Sequence, residues 1–224
     1  MSVLKYVFDF EEGDGKNKML LGGKGANLCE MTQIGLNVPP GFTVSTDACH
    51  AYLEAHQFPA GLMEEVKAHM VALEKKTKKG FGSDDHPLLV SVRSGSSMSM
   101  PGMMDTILNL GLNDKSLKGL IKQTKDERFV YDTYRRFIQL FGKIALGIAD
   151  DMFDTQMHAI KQKYGAKDDI DLKAAELKEV AEEFLKVVQR HTGKPFPQDP
   201  YEQLEVAVAA VFRSWMGKRA VDYR

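Results

Sequence analysis

From about residue 113 to residue 198 the apolar residues recur only at helical spacing, and strand signals vanish. Val130, Tyr134, Phe137, Ile138, Phe141, Ile144, Ala145 and Ile148 form one stripe over roughly five turns. Leu177, Val180, Ala181, Phe184 and Val188 form a second, on a helix predicted to start near Asp171. The stretch 165–171 between the helical segments is polar and reads as a loop. Stripes of this width must be covered, so the segment is predicted to be an all-helical subdomain.

Residues 1–112 have a different character, with most of the glycines and only short apolar runs. Tyr6, Phe8 and Phe10 alternate with Lys5, Val7 and Asp9 at the period of a half-buried strand. A glycine cluster follows, then Leu28, Met31 and Ile34 at helical spacing, and Pro39-Pro40-Gly41 breaks that helix. Phe42 and Val44 begin a second short strand, and Thr46 is positioned to cap a helix reaching about Ala55. Leu62, Val66, Met70 and Leu73 mark a further helix. Residues 88–92 read as a buried strand and 106–112 as another. Asp199, Pro200 and Glu202 then give a cap, a first-turn proline and a third-position carboxylate. The helix they open has Leu204, Val208, Val211, Phe212 and Trp215 on its apolar face. The expected fold class is α+β: an α/β lobe of residues 1–112 completed by 199–224, with the helical subdomain 113–198 inserted. The sequence stops at Tyr223-Arg224 without a closing signal, so a longer natural chain is expected.

Composition narrows the partners. In 224 residues, 30 Lys plus Arg oppose 31 Asp plus Glu, for a formal net charge of -1. That balance gives no electrostatic reason to expect nucleic acid or an anionic membrane. Hydrophobic residues at 43% and charged ones at 27% argue against a disordered chain. No apolar run approaches the ~20 residues of a membrane-spanning helix. Two cysteines, Cys29 and Cys49, cannot make a disulfide framework, and a reducing, cytoplasmic setting is expected.

Two stretches point to phosphate chemistry. Gly22-Gly23-Lys24-Gly25 stands before a helical run. Paired glycines there let backbone amides approach an anion, and Lys24 adds a mobile positive charge. It is not a Walker loop, because Gly25 occupies the Ser/Thr position; the bland alternative is a tight turn with a surface lysine. In the second, Arg93 closes an apolar strand and leads into Ser94, Gly95, Ser96, Ser97, Met98, Ser99, Met100, Pro101, Gly102, Met103, Met104, Asp105 and Thr106. Arg93 offers fixed, always-charged donors, and the glycines let a loop close over a ligand. The methionines are adaptable enough to line an adenine or a docking partner. The competing reading is a Ser/Gly/Met linker.

Other candidates are weaker. Tyr134 faces the core, so Arg135 and Arg136 read as a solvated pair, although a contact to inorganic phosphate stays open. The same solvated reading applies to Arg213, Lys218, Arg219 and Arg224. Asp84-Asp85-His86 reads as a surface turn, and no metal-ligand set emerges.

Taken together, these stretches resemble the nucleotide-binding part of the pyruvate, phosphate dikinase family. The resemblance is carried by residues 6–8 with 11–13, 20–30 and 38–44, by the long run 88–114, and by 131–137 and 212–215. It implies an ATP-grasp site in which Lys24 and Arg93 are the essential phosphate-directed, catalytic groups. It also brings Gly22, Gly23, Ser94, Ser96, Met104, Asp105 and Thr106 to the nucleotide. Family members use ATP and Mg2+ to phosphorylate a histidine on a separate domain. They pass the γ-phosphoryl to inorganic phosphate, and finally phosphorylate pyruvate reversibly at a barrel domain. The resemblance thus implies as partners a phosphohistidine domain, a phosphoenolpyruvate/pyruvate barrel and, at full length, a second copy in a homodimer. The Mg2+ carboxylates are expected in a lobe beyond residue 224, so the 224-residue chain is expected to be inactive alone.

Phosphoenolpyruvate synthase and other water dikinases share the Gly-Gly-Lys and Val-Arg-Ser pieces. They do not usually carry the Ser-Met-Pro-Gly-Met-Met-Asp-Thr run, which favours the phosphate-using enzyme. A non-catalytic module that uses its helical block to hold a partner is the alternative from another class.

Overall fold

A computed structural model describes residues 4–98 and 100–224. In chain order the first elements are β1 (Val7–Asp9), α1 (Lys18–Gln33), β2 (Phe42–Val44), α2 (Thr46–Ala55) and α3 (Leu62–Thr77). Then come β3 (Gly80–Phe81), β4 (Pro87–Leu88), β5 (Val90–Arg93) and β6 (Thr106–Leu110). The remainder is helical: α4 (Asp114–Thr124), α5 (Glu127–Ala145), α6 (Asp150–Tyr164), α7 (Ala174–Thr192), α8 (Pro200–Ser214) and α9 (Lys218–Tyr223). Among the described residues no helix is long and apolar enough to cross a membrane.

The contacts divide the chain into two units. One comprises residues 1–78, 93–106 and 209–224; the other 79–92 and 107–208. The sequence reading keeps 79–92, 107–112 and 199–208 with the α/β lobe, whereas this partition groups them with the helices. The difference has local causes. Gln203, fully buried on α8, accepts the Gly111 N–H at 3.0 Å and donates to the carbonyls of Leu112 and Pro197 at 2.9 and 2.8 Å. Phe81 meets Tyr201 edge-on, with ring centres 5.4 Å apart.

In the first unit β1 pairs antiparallel with β2, Val7 opposite Val44 and Asp9 opposite Phe42. The alternation predicts Tyr6, Phe8 and Phe10 as the core face, yet Val7 is the fully buried residue and Tyr6 and Phe8 are half-buried. Both sides of the strand are covered. Phe8 packs on the cluster of Phe10, Leu21, Ala26 and Cys29, and Glu65 of α3 accepts the N–H groups of Tyr6 and Val7, each at 2.9 Å. The cap of α2 is Ser45, one residue before the expected Thr46: its extended backbone lets Oγ accept the Ala48 N–H at 3.3 Å. Tyr52, Phe58 and Phe212 form an aromatic group.

In the second unit the expected single strand over 88–92 is broken. β4 pairs parallel with β3, and β5 pairs with β6. Ser91 and Arg93 are exposed, so β5 is half-covered rather than buried. The strand expected to reach Leu112 ends at Leu110, because Gly111 turns at φ +100° beneath the Leu88 carbonyl. Helix α5 packs mainly on α7, as the two apolar stripes require. Phe137, Phe141 and Phe196 meet edge-on, as do Phe153 and Phe184. Arg135 departs from the solvated reading: it is buried and ion-paired to Asp132 and Asp169, while Arg136 is exposed and pairs with Asp132. The i,i+3 carboxylate on its own helix draws Arg135 inward.

Candidate phosphate-binding site

Asn17 starts α1 by accepting the Leu20 N–H at 3.0 Å. The helix is then interrupted at Gly22, whose φ of +67° and ψ of 163° lie outside the helical region. Few residues other than glycine adopt that backbone. It gives the segment from Gly23 onward its own helical start. The space around Gly22 is as restrictive as its angle. A Cβ there would lie 3.1 Å from the Gly95 carbonyl carbon and 3.2 Å from the Ser96 nitrogen.

That close approach joins the two sequence stretches. Gly23 N–H donates to the Ser96 carbonyl at 2.7 Å, and Lys24 Nζ donates to the Ser94 carbonyl at 3.0 Å. Ser94 and Ser96 are buried by this contact. Arg93 stands immediately before it, exposed at the end of β5, and among the described residues no hydrogen bond or ion pair engages its guanidinium. Gly22, Gly23, Lys24, Ser94 and Ser96 are therefore brought together, with Arg93 next in the chain. The arrangement supplies an ammonium, a guanidinium and backbone donors, which suits the oxygens of a polyphosphate.

Met104, Asp105 and Thr106 occupy the far end of the same loop and are held differently; Ser99, within that loop, lies outside the described residues. Asp105 accepts from Arg219 Nη2 at 2.9 Å, and its N–H donates to Ser214 Oγ at 3.4 Å. Arg219 Nη1 also reaches the Gly102 carbonyl at 3.4 Å. The C-terminal basic residues are exposed, as the solvated reading expects, but three of them also make contacts within the chain. Arg213 donates to the Tyr52 hydroxyl at 3.0 Å, Arg219 holds the loop, and Arg224 lies over the Trp215 ring at 4.3 Å. No local spacing links positions 105 and 219, so sequence reasoning had no signal for this contact.

One group of metal-ligating type was also missed by spacing: Asp9, Glu12 and His69 place one ligand atom each within 4.8 Å of one another. Each is already partnered. His69 Nδ1 lies 2.7 Å from Asp9 Oδ1, and Glu12 accepts the Asp9 N–H at 2.9 Å and Lys5 Nζ at 2.7 Å. Burial raises the Glu12 carboxyl, but Lys5 and the Asp9 N–H together hold it below the usual range. These contacts clasp β1 to α3. A nearby cavity of about 30 Å3, lined by Asp9, Phe42, Leu73 and Lys76 among others, has room for about one water.

Known proteins give this geometry its class. The family model described as pyruvate phosphate dikinase, AMP/ATP-binding domain, matches residues 18–64 and 53–224. The class is thus that of an AMP/ATP-binding domain. The chain is 58% identical over 222 residues to pyruvate, phosphate dikinase of Entamoeba histolytica, covering 99% of this chain and 25% of that protein. The same enzyme from Giardia intestinalis is 52% identical over 207 residues, covering 92% of this chain and 23% of its own length. The Rhizobium meliloti enzyme is 46% identical, covering 98% and 25%. The chain belongs to the pyruvate, phosphate dikinase family. It spans about a quarter of the length of these relatives.

Proposed function

We propose that this chain binds the polyphosphate of ATP between the Gly22–Lys24 turn and the loop that follows Arg93. In the full-length enzyme it would serve ATP + phosphate + pyruvate to AMP + pyrophosphate + phosphoenolpyruvate. The observation that carries the reading is the direct bonding of the two stretches, Gly23 to Ser96 and Lys24 to Ser94, beside an exposed arginine whose guanidinium no other described residue engages. Phosphoryl transfer depends mostly on positioning and on neutralising developing charge. Lys24 and Arg93 supply that charge, while the helical amides that follow Gly23 give an edge against which a phosphate would be held.

Mg2+ belongs to the same proposal, since a divalent ion neutralises polyphosphate oxygens. The donors around Lys24 are cationic or backbone N–H groups, and Asp105 is turned to Arg219. The magnesium carboxylates are therefore assigned to a lobe outside this chain, and turnover to the full-length protein. There the phosphohistidine domain and the phosphoenolpyruvate/pyruvate barrel would be partners, in a cytoplasmic homodimer. The relatives bear the name of the phosphate-using enzyme, which favours it over a water dikinase.

Calorimetric titration with ATP, with and without Mg2+, tests the reading. Micromolar to millimolar binding is expected, weakened by about 1–3 kcal/mol in Arg93→Ala. Equal affinity in a folded Arg93→Ala variant would refute the assignment. Partner capture by the helices, indifferent to nucleotide, would favour the interaction-module alternative.

A further inference from the structure

The Arg219 guanidinium bridges two points of the loop: the Gly102 carbonyl at 3.4 Å and the Asp105 carboxylate at 2.9 Å. Asp105 is additionally fixed through its N–H to Ser214 Oγ, which in turn donates to the Val211 carbonyl at 2.7 Å. Arg219 is itself anchored, because the next residue, Ala220, is fully buried. The opposite end of the loop is bonded to Lys24 and Gly23. The loop is thus tied at both ends, and the second tie comes from residues more than a hundred positions later in the chain.

We propose that Arg219, seconded by Ser214, is a positioning residue: it sets the Met100–Thr106 half of the loop so that the Ser94–Ser96 half presents a ready edge to the nucleotide. This rests on the ATP-binding reading above. The chemistry suits the role. A planar guanidinium satisfies a carbonyl and a carboxylate at once, which a single ammonium does less well. Gly102, at φ +73°, lets the loop turn at the point where its carbonyl meets Arg219. A loop held before the ligand arrives loses less entropy on closing, and affinity rises accordingly.

The test compares wild type, Arg219→Ala, Arg219→Lys, Asp105→Asn and the double variant Arg219→Ala/Asp105→Asn. Two readouts are used on the same chain: amide hydrogen exchange over residues 100–106 without nucleotide, and ATP affinity by calorimetry. Arg219→Ala is expected to speed exchange in that segment and raise the ATP Kd by about two- to fivefold, the range of a single exposed ion pair. Melting temperature should hold. Arg219→Lys should recover part of both effects, and the double variant should be no worse than the stronger single one. Unchanged exchange in Arg219→Ala overturns the tie. Weaker ATP binding at unchanged exchange overturns it as well, since Arg219 would then act on the nucleotide directly. If wild type binds no ATP, the ATP-binding reading fails and the positioning role with it, while the exchange data still decide whether Arg219 holds the loop.

Discussion

Lys24 Nζ donates to the main-chain carbonyl of Ser94 at 3.0 Å, across 70 positions of sequence. The cation proposed for a phosphate is thus held in place by the loop that also carries Arg93, and the two charges are positioned together. Truncating the side chain removes both the tie and the charge. Lys24→Ala is expected to raise the ATP Kd by about tenfold or more, the worth of one charge-assisted hydrogen bond. Calorimetric titration of the folded variant measures this directly, and unchanged affinity would leave Lys24 with the loop contact alone.

Gly22→Ala tests the contact between the two stretches. Alanine must adopt φ near +67° and bring its Cβ to 3.1 Å from Gly95 and 3.2 Å from Ser96, and both neighbours are backbone. This backbone, with positive φ and extended ψ, is essentially confined to glycine and costs about 1–3 kcal/mol by itself, before the loop is pushed away. The melting temperature should fall, and exchange at the Gly23 amide should rise because its 2.7 Å bond to Ser96 is strained. Gly35→Ala is a control, since Gly35 has φ +86° but meets nothing within 4 Å. Equal losses at the two positions would mean that the close approach at Gly22 adds nothing.

Periodicity is enough for α5 and α7. The stripes read from Val130 and from Leu177 bury as expected on α5 and α7, because a helix must hide an apolar face wherever it packs. The strands were less legible. Val7 is buried against its predicted phase because β1 is covered on both sides, and a strand of three residues is too short to average out that error. Gly22, Lys24, Arg93, Ser94 and Ser96 lie on the two stretches that stand out in the sequence, and the structure bonds those stretches through Gly23 to Ser96 and Lys24 to Ser94. Arg135 and Arg219 do not stand out in this way. Each has an aspartate partner far away in sequence, Asp169 and Asp105, about which residue spacing carries no information, although for Arg135 the i,i+3 pair with Asp132 is a local signal as well.

The Arg135 network makes the acid behaviour of the second unit predictable. Asp169 accepts from Lys161 at 2.9 Å and from Arg135 at 2.8 Å. Burial pushes its carboxyl up, but the bonds to Lys161 and the charge of Arg135 outweigh this and hold it below the usual range. A carboxyl lowered in the folded state stabilises the fold above its unfolded pKa of about 4, and that contribution is lost as pH falls through the lower folded value. Urea unfolding is therefore expected to show stability falling below about pH 4, with a shallower fall in Asp169→Asn. An identical pH slope in the variant would remove Asp169 from the account. The amplitude should be modest, because the Asp169 side chain is 40% exposed and solvent screens the pair.

The two cysteines are unpaired. Burial pushes the Cys49 thiol up to about 11 and also raises Cys29, which packs in the core with Phe10, Leu21 and Ala26. An ordinary thiol titrates near 8.5, so at neutral pH the Cys49 thiolate is scarcer by about two orders of magnitude. Since the thiolate is the reacting form, labelling by a disulfide reagent at pH 7.5 should be slower by at least that factor in the folded chain than in urea. Substrate access lowers the rate further at fully buried Cys29, so the order should be Cys49 before Cys29. Counting labelled thiols by mass against time separates the two sites. Fast labelling of Cys49 without denaturant would show that the half-buried sulfur is open to the reagent and that burial does not hold its thiolate back.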